Sequence, residues 1–306
     1  MNNVNITISK KVFNEVYLPY LENEDKYLVF YGGGSSGKSF FIAQMLIYKM
    51  LKQKMNLLVV RQTGNTNRDS TFAMFKQVIS KWNLQSLFNI TDLRIKCVNG
   101  NEIIFRGLDD VEKVKSATFE SGELTHIWVE EATETSEADI QQLKVRLRGG
   151  KSKKQMILSF NPVDINHWIK RHFIDSGLAT VCHSTYKDNK FLTEDDKETL
   201  ESFKDTDEYY YNVYCLGQWG VLGKTYFNAK KINQRLQDIK KPIKTGYFKY
   251  TYDNKLEKIT NIYFKEDENG FIDILEEPKK YYPYVLSGDT AGEGSDYFIG
   301  QVLDNT

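Results

Sequence analysis

Tyr31-Gly32-Gly33-Gly34-Ser35-Ser36-Gly37-Lys38-Ser39 is the stretch on which the fold of this chain turns. From Gly32 to Ser39 it satisfies G-x-x-x-x-G-K-[ST] at every fixed position. A strand-like run, Tyr27-Leu28-Val29-Phe30, enters it, and a helix-like run, Phe40-Phe41-Ile42-Ala43-Gln44-Met45-Leu46-Ile47, leaves it. A phosphate-binding loop needs that order. Glycines let the backbone curl until successive N–H groups converge on phosphate oxygens, and the helix N-terminus adds partial positive charge. The pattern assigns Gly32, Gly33, Gly34, Ser35, Ser36 and Gly37 to the cradle, Lys38 to the β/γ-phosphates and the Ser39 hydroxyl to Mg²⁺. The plainer alternative is a glycine-rich turn ahead of a helix.

Downstream, apolar runs end in polar residues, as expected of buried parallel strands whose carboxyl ends face a ligand. Asn56-Leu57-Leu58-Val59-Val60 ends in Arg61-Gln62-Thr63, so Arg61 is either near a bound ligand or a surface residue at a strand end. Leu124-Thr125-His126-Ile127-Trp128-Val129 ends in Glu130-Glu131. Glu130 is placed to hold Mg²⁺ through water, and Glu131 to polarise the water that attacks a γ-phosphate. Gln155-Met156-Ile157-Leu158 runs into Ser159-Phe160-Asn161-Pro162, where a hydroxyl and an amide can sense the γ-phosphate.

Between these strands, helices are expected from Ser39 to about Lys54, from Thr66 to Trp82 and from Ala132 to Arg148. Arg146 and Arg148 are either an arginine finger for a neighbouring subunit or an ordinary basic helix end. Asn99-Gly100 between residues 93–98 and 102–105 is a hairpin signal. Inserted antiparallel strands point to an additional-strand, RecA-like P-loop NTPase sheet flanked by helices, an α/β class. His167 and His172 show no metal spacing. Residues 193–214 are charged and helical, ending in Tyr209-Tyr210-Tyr211, and 206–242 are expected to form a lid or linker after an ATPase domain over 1–205. Farther on, 259–264 and 271–275 are expected to pair around an acidic turn. A strand from 284 ends at Asp289, placed for a carboxylate metal site, and another runs from 297.

The chain has 306 residues, 41% of them hydrophobic and 27% charged, a globular composition. Lys plus Arg and Asp plus Glu each number 41, so no bulk charge favours nucleic acid or membrane. The 3 cysteines, Cys97, Cys182 and Cys215, have no metal spacing and are expected as buried thiols in a reducing compartment. The N-terminus lacks a signal-peptide apolar core, and no run reaches membrane length, so a cytoplasmic protein without membrane contact is expected.

Taken in order, the phosphate loop, Arg61-Gln62-Thr63, Ile127-Trp128-Val129-Glu130-Glu131-Ala132, Ser159-Phe160-Asn161-Pro162, Leu216-Gly217-Gln218-Trp219-Gly220 and Gly288-Asp289-Thr290-Ala291 resemble the large terminase subunit of tailed bacteriophages. The resemblance implies an N-terminal packaging ATPase and a C-terminal nuclease of RNase H-like α/β fold, here beginning near residue 243 and incomplete at 306. It implies ATP with Mg²⁺ at Lys38, Ser39, Glu130 and Glu131, with Asn161 contacting nucleotide and Ser159 and Asn161 coupling hydrolysis to motion. It implies a second Mg²⁺ or Mn²⁺ site at Asp289, with Asp296 as an auxiliary acid. The implied activity is ATP-driven translocation of double-stranded DNA for viral genome packaging. The implied partners are a portal protein and the small terminase subunit, with a homo-oligomeric ring acting transiently at the procapsid portal. Many members carry an arginine inside the phosphate loop, and this chain does not. The completing arginine is therefore expected elsewhere, at Arg146 or Arg148 of a neighbour. Further nuclease acids are expected beyond Asp289, so this polypeptide alone is expected to lack nuclease activity. Another P-loop DNA motor, such as a helicase or recombination ATPase, and a non-catalytic remnant that binds partners are the alternatives.

Overall fold

Eight short apolar runs pair into one sheet in the order β3-β4-β5-β2-β6-β7-β1-β8. The strands are β1 (Tyr27–Gly32), β2 (Asn56–Arg61), β3 (Phe88–Thr91), β4 (Arg94–Cys97), β5 (Glu102–Gly107), β6 (His126–Glu130), β7 (Gln155–Phe160) and β8 (Thr180–Ser184). The computed structural model describes residues 6–109, 114, 117–220, 242–253, 258–289 and 299–304, with the backbone alone for 285–289 and 299–304. The chain divides into two compact units, 1–225 and 226–306, and the large sheet belongs to the first.

From β5 to β8 every neighbouring pair is parallel. Such strands are buried on both faces, which explains their continuous aliphatic runs. Alternation then sorts the side chains. Leu28, Phe30, Leu57, Val59, Phe105, Trp128 and Ile157 join one apolar cluster, and Val29, Leu58, Val60, Ile104, Val129 and Leu158 join the other. Helix α1 (Lys38–Lys52) and helix α2 (Ala73–Lys81) cover the first face through Phe41, Ile42, Met45, Phe75 and Val78. Helix α3 (Glu137–Arg146) and the helical turn Lys170–Asp175 cover the second through Ile140, Leu143 and Phe173.

The additional-strand class is confirmed on different grounds from those in the sequence. The hairpin of β4 and β5 forms, with Ile95 opposite Ile103, but it lies toward the β3 edge of the sheet. The inserted strand is β7, which separates the phosphate-loop strand β1 from β6, the strand of Glu130. The expected helix over 132–148 is shorter. Ala132–Glu134 is a 3₁₀ turn, and Ser136 starts α3 with a capping box to Asp139. The helix expected from Thr66 contains a π-helical turn at Arg68–Phe72. Residues 209–220, expected in a lid, lie in the first unit, while most of the remaining linker, 221–241, lies outside the described residues.

In the second unit, β9 (Lys244–Asp253) is the centre of a three-stranded sheet between β10 (Lys258–Glu266) and β11 (Ile272–Ile274). The expected pairing of 259–264 with 271–275 is therefore wrong. Both strands pair with β9, whose Tyr-Phe-Lys-Tyr-Thr-Tyr run follows directly on a lysine-rich stretch that masks it. β12 (Tyr284–Asp289) and β13 (Ile299–Asp304) form an antiparallel pair, with Asp289 opposite Ile299. No helix among the described residues is long and apolar enough to cross a membrane.

Candidate nucleotide and metal site

The loop between β1 and α1 is backbone packed on backbone. Gly32 has φ 152°, and a Cβ there would lie 1.8 Å from the Ser184 carbonyl oxygen. Gly37 ends the loop in the left-handed region at φ 83° and caps α1. The Gly33 amide donates to the Ser184 carbonyl at 3.0 Å and the Gly34 amide to the Tyr214 carbonyl at 2.5 Å. Ser35, at φ 56°, and Gly37 expose the second half of the loop to a cleft of about 410 Å³, lined also by Ser36, Lys38, Ser39, Asp69 and Ser70.

Lys38 is only 7% exposed. Its Nζ donates to Gly33 O at 3.1 Å and to Asn161 Oδ1 at 2.7 Å. Burial lowers its pKa, and the charges of Glu131 and Glu130 oppose that shift. The Ser39 hydroxyl donates to Glu130 Oε1 at 3.4 Å. Glu130 Oε2 lies 3.0 Å from Arg61 Nε. Burial first, then repulsion from Glu131, pushes the Glu130 carboxyl up to about 7, while Arg61, Lys38 and Ser39 pull it down. Burial also raises Glu131, against the pull of Lys38 and Arg61. Glu131 sits at φ 52° and ψ 50°, a left-handed conformation that a non-glycine residue holds only where its surroundings enforce it.

The residues from the four strand ends thus converge, as the sequence leads one to expect for Lys38, Ser39, Glu130, Glu131 and Asn161. Ser159 does not join them. Its hydroxyl, buried inside β7 while Asn161 lies just past the strand's end, accepts a hydrogen bond from Trp128 Nε1 at 2.9 Å in the core. Arg61 is not a surface residue, since its Nη1 donates to Ser70 Oγ at 3.0 Å beside its contact with Glu130. The half-buried Arg146 guanidinium donates to the Ala117 carbonyl of its own chain, whereas Arg148 is exposed beyond the helix end. His167 faces the Thr133 carbonyl and His172 pairs with Glu137, so neither approaches a metal cluster.

The donor set fits one hard cation. Among the described residues no group of three or more His, Cys, Asp or Glu could hold a metal ion. One hydroxyl, one carboxylate and the oxygens of a phosphate chain are what Mg²⁺ accepts while it keeps several waters. Glu130 Oε2 and the buried Ser36 hydroxyl have no hydrogen-bond partner, leaving acceptor capacity in the cradle. In the second unit, Asp289 ends β12, and Asp296 lies outside the described residues.

Several site residues carry no sequence signal. Asn189 donates to Ser35 O at 2.8 Å and accepts from Asn14 Nδ2 at 3.1 Å. The buried Tyr17 hydroxyl lies 3.0 Å from Ser36 O and 2.8 Å from Ser184 Oγ, and burial pushes its pKa up to about 12. A second cavity of about 520 Å³ shares Gly37, Phe40 and Gln77 with the first and is walled by Asn14, Phe41, Trp82, Asn189 and Phe191. The segment 209–220 is stitched to both sides of the site. His183 Nε2 faces the carbonyl oxygens of Leu216 and Gly217 at 3.2 and 3.0 Å. The Gly220 amide donates to Pro162 O at 2.9 Å, and the Tyr209 hydroxyl donates to Val163 O at 3.2 Å. The three cysteines are buried free thiols.

A family model described as phage terminase large subunit matches residues 24–218. The PBSX phage terminase large subunit of Bacillus subtilis (strain 168) is 29% identical over 306 residues, covering 90% of this chain and 67% of that protein. The terminase large subunit of Bacillus phage SPP1 is 30% identical over 238 residues, covering 71% of this chain and 56% of that protein. Among solved structures, the large terminase of a thermophilic bacteriophage in complex with ADP superposes with a TM-score of 0.57 at 17% identity. That alignment covers 79% of this chain and 62% of the thermophilic phage's chain, and the same terminase was also solved in complex with ATP-gamma-S. At that identity the likeness establishes the shared fold.

Proposed function

The chain belongs to the phage terminase large subunit family, and from that footing we propose that it is the ATP-hydrolysing motor of a DNA-packaging machine. The observation that carries this proposal is the convergence of Lys38, Glu130, Glu131 and Asn161 on the cleft of the phosphate loop. ATP is the substrate. Its phosphates would lie along Ser35–Ser39, and the apolar cavity beside Phe40 and Trp82 has the size and lining to receive the base. The complexes of the thermophilic phage's terminase with ADP and ATP-gamma-S support the choice of nucleotide.

Mg²⁺, held by Ser39 and, through water, by Glu130, would neutralise charge on the β- and γ-phosphates. Glu131 would orient the attacking water. Its strained backbone fixes its direction, and burial raises its affinity for the proton it must accept. Lys38, itself only 7% exposed, balances phosphate charge. A terminal phosphate would compete with Asn161 for the Lys38 ammonium. Its departure returns Lys38 to Asn161, and the turn that carries Asn161 is bonded to residues 209–220. That turn would convert phosphate loss into movement of the double-stranded DNA.

A portal protein, the small terminase subunit and further copies of this chain in a ring are the proposed partners, met at the procapsid portal in the host cytoplasm. Asp289, with Asp296, is the proposed start of a metal-dependent DNA-cutting site. The primary test is Glu131→Gln, which should retain nucleotide binding and lose phosphate release. Wild-type turnover in that variant would refute the assignment.

A further inference from the structure

Arg61 is the last residue of β2, and pairing of Val60 with Val129 sets it beside Glu130 at the carboxyl edge of the sheet. Its Nε lies 3.0 Å from Glu130 Oε2, with side-chain exposures of 15% and 8%. The contact is one of charge: neither atom makes a directed hydrogen bond. The guanidinium is held from its other end. Nη1 donates to Ser70 Oγ at 3.0 Å, and Ser70 Oγ donates to Thr66 O at 2.8 Å. Ser70 belongs to the π-helical turn Arg68–Phe72 and lines the cleft of the phosphate loop. Wide turns of this kind recur at functional sites.

The charge balance points the same way. Two buried carboxylates, Glu130 and Glu131, feel two cations, Lys38 and Arg61. Lys38 is engaged by Gly33 and Asn161, and residues 33–36 carry no cation. Arg61 is the group that bears directly on Glu130 from the side opposite Ser39.

We infer that Arg61 is a positioning residue for Glu130, holding its carboxylate turned toward Ser39, in the orientation in which a divalent cation requires it. Ser70 fixes the guanidinium in turn, so the π-helical turn and the acid that would hold the cation through water are aligned by one side chain. A lysine would satisfy Glu130 but could not bridge to Ser70 as well. Partners that orient a ligating group set metal affinity, and losing one weakens it about 10- to 100-fold.

This inference rests on the nucleotide-site reading, and binding of a fluorescent ATP analogue separates the two. The wild-type chain, Arg61→Ala, Arg61→Lys and Ser70→Ala are titrated with the analogue in EDTA and then across Mg²⁺. The Mg²⁺ concentration for half-maximal enhancement should rise about tenfold or more in Arg61→Ala and by less in Arg61→Lys and Ser70→Ala, with the loss confined to the Mg²⁺ arm. An unchanged Mg²⁺ dependence in Arg61→Ala overturns the inference. So does an equal loss in EDTA, which would put Arg61 on the nucleotide itself. If Arg61→Ala does not fold, wild-type Mg²⁺ dependence in both other variants is decisive against it. A wild-type chain that binds no analogue under either condition overturns the site and this role together.

Discussion

Lys38 Nζ and Asn161 Oδ1 lie 2.7 Å apart although 123 residues separate them in the chain. One belongs to the phosphate loop and the other to the end of the strand inserted beside it. The lysine proposed to meet a phosphate is therefore already partnered, and its partner heads the turn bonded to 209–220. Lys38→Ala should abolish phosphate release. Asn161→Ala should slow it about tenfold, the order expected from losing one hydrogen bond to a charged group of roughly 1.5–3 kcal/mol. A phosphate-release assay on both decides, and wild-type rates in Asn161→Ala would remove that residue from the cycle.

Ser159 is expected to behave differently from Asn161, two residues away. Its hydroxyl satisfies Trp128 Nε1 in the core. Ser159→Ala leaves a buried indole N–H without a partner, at a stability loss of about 1–3 kcal/mol. Denaturant melts should show that loss, while phosphate release per folded molecule stays at the wild-type level. A stable variant with impaired hydrolysis would instead return Ser159 to the coupling role that the family resemblance implies.

Gly217 has φ 64°, and a Cβ there would lie 2.4 Å from Gly32 Cα and from Gly33 N. Gly217→Ala must strain its own backbone and push the phosphate loop away. Such strain amounts to about 1–3 kcal/mol before any clash is counted. The expected result is a lowered melting temperature together with weaker nucleotide binding. An unchanged nucleotide affinity would show that the 214–217 segment does not shape the cradle.

His126 opens β6, with Nδ1 2.8 Å from Thr125 Oγ1, and burial drives its pKa from 6.5 down to about 3. Between those values the unfolded chain binds more protons than the folded one. Stability is therefore present above pH 6.5 and lost as pH falls toward 3. A full swing is on the order of 5 kcal/mol. Equilibrium unfolding across this range should show a flatter acid limb in His126→Gln than in the wild type, and parallel limbs would contradict the role of His126.

The phosphate loop, the acid pair and the strands that carry them are legible in the sequence because each is local. A fixed motif, an apolar run and a polar end occupy fewer than about ten residues apiece. What the sequence hides depends on residues distant along the chain. Asn14 meets Asn189, Tyr17 meets Ser184, and Arg61 reaches Glu130. No periodicity announces such pairs, since they arise only once strand order is known. The π-helical turn at Arg68–Phe72 reads as plain helix because the buried residues around it, Asn67, Thr71, Phe72 and Phe75, keep a spacing that one face of an α-helix also shows. The second unit misleads at β9, where exposed tyrosines blur the alternation that marks a half-buried strand.

Strand β7 has a metrological consequence. Because it lies between β1 and β6, the phosphate loop and the acid pair are two strand spacings apart, about 9.5 Å. The gap across which, on the proposed mechanism, water and phosphate meet is thereby graduated by backbone hydrogen bonds, and side chains only trim it. Aliphatic residues inside β7 can drift to others of similar volume without moving the two sets of reacting groups apart. A bulge that added one residue to β7 would throw Asn161 out of register with Lys38 while leaving the width of the gap untouched.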